Sequence, residues 1–264
     1  MPTVKNIVST VAHPAFSGGD RRLAAELNAL LRRYRPHCLD SVKFGEVPPE
    51  GAMTLAEWSR PEAFQRLVRR YGNELYRQHP DKPHEEKPLQ SLWAQWYFGL
   101  LVPPLMLVSL KHVVLLDCSP SRIYVEFHAS KGHPAVFYIA PQALAPEMAG
   151  DSPRARLERL LHQHIAPVIN TLDSFGALNA RLTWNNTGYL MHWFLGEMAP
   201  LIAPDQLGQL RHDLFFSRSL LDGGENPLYR TIIPRGGLMR RRSCCQRYRI
   251  PDVARCGDCT LNEV

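Results

Sequence analysis

The segment Leu92–Leu110, "LWAQWYFGLLVPPLMLVSL", runs nineteen residues without a charge. A stretch this apolar must leave water, either into a bilayer or into a protein core. It just reaches the roughly 18–20 residues that a membrane span needs. Pro103-Pro104 lies near its middle and Gln95 inside it. Proline offers no amide donor and clashes with the preceding turn. The expectation is a buried helix that stops at the double proline, followed by a second buried segment; contact of the folded protein with a membrane surface stays open. Trp93, Trp96 and Tyr97 stand at i, i+3 and i+4, so they should share one helix face.

The rest of the chain can supply such a core. Its 264 residues suffice for one large domain or two modest ones, and 45% hydrophobic against 21% charged residues is ordinary for a soluble fold. Asp20 precedes the stripe Leu23, Leu27, Leu30, Leu31 and Tyr34. Thr54/Glu57 and Ser59/Glu62 have capping-box spacing, the second leading into Phe64, Leu67, Val68, Tyr71 and Leu75. Between Lys111 and Ala140 the pattern turns β-branched and aromatic: "HVVLLD", "RIYVEFH" and "AVFYIA" read as a hairpin with a neighbouring strand. Ser152-Pro153 opens a further helix with the stripe Leu157, Leu160, Leu161, Ile165, Val168 and Leu172, which Pro167 should kink. Another helix should follow "WNNTG", from about Tyr189 to Met198, and another Pro204-Asp205. Near residues 223–227 the chain turns irregular, and "PRGG" joins two strand-like pieces as a hairpin that ends at Cys244.

The first thirty residues show no secretory signal, so a reducing cytoplasm is expected, where structural disulfides are rare. Four of the six cysteines nevertheless crowd into the last 21 residues as C-C-x10-C-x2-C: Cys244, Cys245, Cys256 and Cys259. Three chemistries compete. Zinc takes four thiolates, usually from two C-x2-4-C knuckles, and only one knuckle is present. A dithiol site could use Cys256 and Cys259, leaving the adjacent pair unexplained. A [2Fe–2S] cluster needs two thiolates on each of two irons, which an adjacent pair serves more easily once the chain bends there. The net charge is +6, and residues 235–255 hold seven arginines against Asp252 alone. Guanidinium groups would stabilise the reduced, more anionic form of such a cluster and attract anionic partners.

With "CCQRYRIPDVARCGDCTL" at 244–261, "MTLAEWS" at 53–59, "EEKPLQSLWAQWYFGLLVPPLML" at 85–107, "WNNTGYLMHWFL" at 184–195 and "ENPLYRT" at 225–231, the chain resembles the bacterial siderophore-iron reductases of the ferric hydroxamate (ferrioxamine) type. The resemblance covers most of the chain and is weakest before residue 50; the body also looks distantly like the C-terminal part of the aerobactin-type siderophore synthetases. It implies one [2Fe–2S] cluster on Cys244, Cys245, Cys256 and Cys259 and one-electron reduction of siderophore-bound Fe(III), with Fe(II) released in the cytoplasm or at the inner face of its membrane. A zinc-stabilised binding module and a non-redox siderophore-binding protein are the alternatives.

The expected architecture is therefore α+β: a mostly helical, siderophore-handling body at 1–225 with a small antiparallel sheet, and a short C-terminal hairpin with the cluster module at 226–264. No G-x-G-x-x-G or P-loop is present, so the electrons should come from an external donor protein, a ferredoxin or reductase. Nucleic acid is not an expected partner. Trp93, Trp96, Tyr97, Trp184, Asn186, Tyr189, Arg241 and Arg247 are the candidate contacts to a ferric siderophore of hydroxamate type. Cys38 and Cys118 are expected as buried free thiols, and His162 and His164, two apart on a helix, as no metal pair.

Overall fold

A computed structural model describes residues 20–114, 116–144, 152–257 and 259–262. Among the described residues eight α-helices and five strands follow in chain order: α1 (Arg21–Tyr34), β1 (Val42–Phe44), α2 (Leu55–Trp58), α3 (Pro61–Leu75), α4 (Glu86–Lys111), β2 (Ile123–Phe127), β3 (Pro134–Ile139), α5 (Pro153–Leu160), α6 (Ala166–Ser174), α7 (Ala180–Glu197), α8 (Pro204–Phe215), β4 (Ile232–Arg235) and β5 (Leu238–Arg241). The α+β expectation holds.

The uncharged stretch lies within α4, and α4 is the centre of the core rather than a span. By length and composition it could cross a membrane, but 72% of its most apolar window is buried in the fold. It continues through Pro103 and Pro104, which corrects the expected stop. The two prolines leave the carbonyls of Gly99 and Leu100 without their helical donors. A long hydrogen bond from Ser41 Oγ, at 3.5 Å, reaches the Leu100 carbonyl. Both prolines are themselves buried among the core side chains. Trp93 and Tyr97 are enclosed with Trp58, Phe64 and Phe137 in a cluster of tilted and edge-on rings.

Local chemistry sets the helix ends. Asp20 caps α1 by accepting from the amides of Arg22 and Leu23. The Thr54–Glu57 box closes α2, with the Thr54 amide 2.7 Å from the Glu57 carboxylate. The second expected box does not form: α3 starts at Pro61 behind Arg60, because proline pre-sets the first helical φ. Ser152 caps α5, with Pro153 in its first turn. All six residues of the leucine-rich stripe are buried, and Pro167 follows a π-helical turn at Leu161–Ile165 that joins α5 to α6. The helix expected from Tyr189 begins instead at Ala180, capped by Asn179, so "WNNTG" is helical throughout.

The hairpin β2–β3 forms as expected. Its third strand is β1, which pairs parallel to β3. The segment "HVVLLD", read as a neighbouring strand, contributes only a single bridge from Leu116 to Ala143 among the described residues. The sheet is thus mixed. The C-terminal hairpin β4–β5 is antiparallel. It seats against α7 at Gly188, where a Cβ would lie 2.2 Å from Thr231 Oγ1, so only glycine permits the approach.

Cys38 and Cys118 are buried free thiols, and burial pushes them up to about 11 and about 12. His164 is enclosed, its Nε2 3.0 Å from the Tyr97 hydroxyl and its Nδ1 3.2 Å from the Cys118 carbonyl. His162 is exposed beside Asp222, and the two histidines do not converge. Burial holds both His164 and His192 down at about 4. The unfolded chain therefore binds more protons between pH 4 and about 6.5, and stability rises with pH across that window. Thermal unfolding followed by circular dichroism should give a melting temperature that is nearly level from pH 8 to 7 and falls progressively below pH 6.5. His164 alone accounts for roughly 1 kcal/mol per pH unit there.

Candidate metal centre

The chain bends at the adjacent cysteines through Gln246, whose φ of 64° is left-handed. That conformation costs a non-glycine residue of order 1–3 kcal/mol, and the surrounding contacts must hold it. The Gln246 amide points back to Cys244 Sγ at 3.3 Å. A 3-10 turn at Arg247–Arg249 follows, and Ile250 plugs the return loop into the core with 1% of its surface exposed. Cys256 and Cys259 sit on a turn closed by the Cys259 amide on the Cys256 carbonyl, and Asn262 ties down the carbonyls of Cys256 and Gly257.

The four sulfurs meet in two pairs, each with one member from each half of the motif. Cys244 Sγ lies 3.8 Å from Cys259 Sγ. Cys245 accepts a hydrogen bond from the Cys256 thiol; this, opposed by burial and reinforced by the Arg247 amide, Arg241 and Gln95, holds Cys245 down at about 5. Burial raises Cys244. Two thiolates on one tetrahedral metal at about 2.3 Å lie about 3.8 Å apart, so the first pair has the spacing of a shared metal. Among the described residues no three His, Cys, Asp or Glu side chains converge on one ion position. Two separate thiol pairs fit a two-iron rhomb, with two thiolates per iron, better than a single tetrahedral zinc.

The helical body holds this segment by polar contacts that are themselves buried. Ser91 of α4 donates to the Cys245 carbonyl at 2.8 Å and accepts from Asn186 of α7 at 3.3 Å. Asn185 reaches Ser243 Oγ at 2.9 Å. Arg241, at the end of β5, sends Nη1 to Asn186 Oδ1 at 3.0 Å and Nη2 to Cys256 Sγ at 3.2 Å, with its guanidinium 5.2 Å from the centre of the Tyr189 ring.

Beside Cys256 opens a cavity of about 260 Å³ between α4 and α7. Gln95, Asn186, Tyr189, Trp193 and Arg241 line it together with Cys256. The Thr187 hydroxyl, also on the lining, is buried and has no hydrogen-bond partner among the described residues. Of the eight residues expected around a chelate, Asn186, Tyr189 and Arg241 therefore come together here. The other five do not. Trp93 and Tyr97 are core residues on the far face of α4. Trp96 stacks on His133 and donates to Tyr71. Trp184 is half-buried against the core, and Arg247 lies near Tyr71, off the cavity. Thr183, Thr187 and Leu190 also line the cavity, outside the expected set. With Asn186 they form an i, i+3, i+4, i+7 stripe on α7. Starting that helix at Tyr189 hid it.

Residues 91–239 match the family described as "Ferric iron reductase FhuF-like transporter", and residues 241–261 match the "FhuF 2Fe-2S C-terminal domain". The chain belongs to the FhuF-like ferric iron reductase family and carries its 2Fe-2S domain. It is 45% identical, over 92% of both chains, to the "Ferric siderophore reductase" of Escherichia coli K12. Its fold is similar to aerobactin synthetase IucA from Klebsiella pneumoniae, with a TM-score of 0.50 at 12% identity. That match takes in 79% of this chain, which spans about half (48%) of the synthetase.

Arg241→Lys keeps the charge and loses the fork that reaches Asn186 and Cys256 at once. An EPR-monitored redox titration should show a more negative midpoint potential, because a charged hydrogen bond to sulfur, worth about 1.5–3 kcal/mol, no longer favours the reduced form.

Proposed function

We propose that this protein reduces Fe(III) bound in a siderophore by one electron, in the cytoplasm, and so releases Fe(II). The observation that carries the reading is the placement of Cys256 on the wall of an aromatic and amide-lined cavity, with Arg241 touching both. The relative's name supplies the substrate class, and the 2Fe-2S domain supplies a one-electron centre. Hard oxygen chelators owe much of their grip to the 3+ charge, so the reduced ion is held weakly and no bond of the chelator need break.

In this reading Cys244, Cys245, Cys256 and Cys259 would hold the cluster, the pairs Cys244/Cys259 and Cys245/Cys256 each supplying two thiolates. When bound, the cluster stores and transfers single electrons. The chain's own residues do the rest. Arg241 balances the anionic sulfurs. Tyr189 and Trp193 offer ring faces to the methylene arms of a hydroxamate chelate. Asn186, Gln95 and the Thr187 hydroxyl present polar atoms to its oxygens. Apolar walls with a few convergent polar groups are the usual make-up of a ligand pocket. At about 260 Å³ the cavity admits one edge of such a chelate, and the remainder stays outside. Residues 1–225 serve as the siderophore-handling body and 226–264 as the cluster module.

Reduced protein mixed anaerobically with a ferric hydroxamate should regain its oxidised visible spectrum, whereas the redox-inert gallium(III) hydroxamate should bind and leave it bleached. No reoxidation by the ferric chelate would refute the function. Trp193→Ala and Tyr189→Ala should weaken gallium-chelate binding about tenfold with the cluster spectrum unchanged. Replacing Cys244, Cys245, Cys256 or Cys259 by serine should abolish the two-iron, two-sulfide content, and Cys38→Ser or Cys118→Ser should retain it by chemical iron and sulfide assay.

A further inference from the structure

A second recess, of about 370 Å³, opens on the Cys244 side of the centre. Lys87, Arg181 and Arg242 line it with Cys244, Ser243 and Gln246, and no acidic side chain among the described residues does. We propose that this cationic recess is the docking surface for an acidic, single-electron donor protein, so that electrons enter beside Cys244 while the chelate occupies the cavity beside Cys256. The proposal rests on the cluster reading above and adds the partner and its place.

The arginines of this region are not equivalent. Arg249 pairs with Glu85, and Asp252 with His79, so the outer face of the return loop is neutralised internally. Arg241 is buried on Asn186 and Cys256, and Arg235 holds the Thr260 carbonyl at 2.7 Å. Arg255 lies over the Tyr248 ring and donates to the Leu261 carbonyl. Lys87, Arg181 and Arg242 have no such side-chain partner among the described residues. Glu86, next to Lys87, lies on a different cavity with Arg69 and His84.

Lys87 is in the first turn of α4 and Arg181 in the first turn of α7. Glu86 in the same turn of α4, and the Asp173 carboxylate 2.7 Å from the Ala180 amide, answer the two helix N-termini, so the positive potential of the recess comes from its three cations. The chain has no dinucleotide or P-loop motif to bind its own reductant. The electron count is simple: the donor protein loses one electron, the siderophore-bound Fe(III) gains it as Fe(II), and no proton or group moves. With donor and chelate at different openings, neither must leave before the other arrives.

The test uses full-length protein and a reduced acidic [2Fe–2S] ferredoxin as the probe, in anaerobic stopped flow at low ionic strength. The second-order rate of electron transfer should fall at least tenfold in K87E/R181E/R242E. The wild-type rate should fall with added salt. Photoreduction by the small, uncharged deazaflavin should proceed at the wild-type rate in the variant. R22E/R32E/R33E on α1 makes the same net charge change and should keep the wild-type ferredoxin rate. Calorimetric binding of oxidised ferredoxin should weaken tenfold in the recess variant, a readout that needs no cluster in this chain. A wild-type rate and affinity in the recess variant, or an equal fall in the α1 control, would overturn the proposal. Absence of the visible cluster spectrum with binding still lost would count against the iron–sulfur reading and leave the docking surface standing.

Discussion

One buried guanidinium ties the two halves of this protein together. Arg241 is 5% exposed, and a charge taken that far from water costs several kcal/mol unless it is paired and hydrogen-bonded. Asn186 answers it from α7, Cys256 from the cysteine turn and the Tyr189 ring from one face. Asn186 in turn donates to Ser91, and Ser91 to the Cys245 carbonyl. A single chain of polar contacts therefore runs from the core helix α4 through α7 to both halves of the cysteine motif. Losing any member leaves a buried polar group unpaired, which is the expensive outcome. The last forty residues are too few for a core of their own, and this network, with Ile250 as the apolar plug, seats them on the body.

The same network explains how two unlike openings come to share one centre. Cys256 borders the aromatic cavity and Cys244 the cationic recess. The left-handed Gln246 turns the chain back directly after the adjacent pair, and Cys244 faces Cys259 while Cys245 meets Cys256. The likeness to aerobactin synthetase concerns the fold alone.

Much of this was legible in the sequence, for reasons that differ by element. The cysteine spacing constrained the chemistry, because few centres accept an adjacent pair. The apolar stripes gave the core helices, since burial follows period. The failures share a cause: local rules were overridden by tertiary context. Pro103 and Pro104 continue α4 because burial there is complete and Ser41 supplies a donor. "WNNTG" looks like a loop by propensity, yet Asn185 and Asn186 are helical because their side chains serve the C-terminal segment and Gly188 lets Thr231 approach. Trp93 and Tyr97 fill the core rather than a pocket, because large rings at helical spacing serve the core at least as well. The parallel strand β1 was invisible, being three residues long and distant in sequence from its partner.

Delivery of one electron from the cysteine module to a ferric ion seated at the neighbouring cavity can be followed in a single turnover. Protein reduced to one electron per cluster, freed of excess reductant and mixed with one equivalent of ferric hydroxamate beside an Fe(II)-specific chromogenic chelator, should yield one Fe(II) per cluster as the oxidised spectrum returns. Appearance of no Fe(II), or of Fe(II) while the cluster stays reduced, would rule out transfer from the cysteine module to the bound iron.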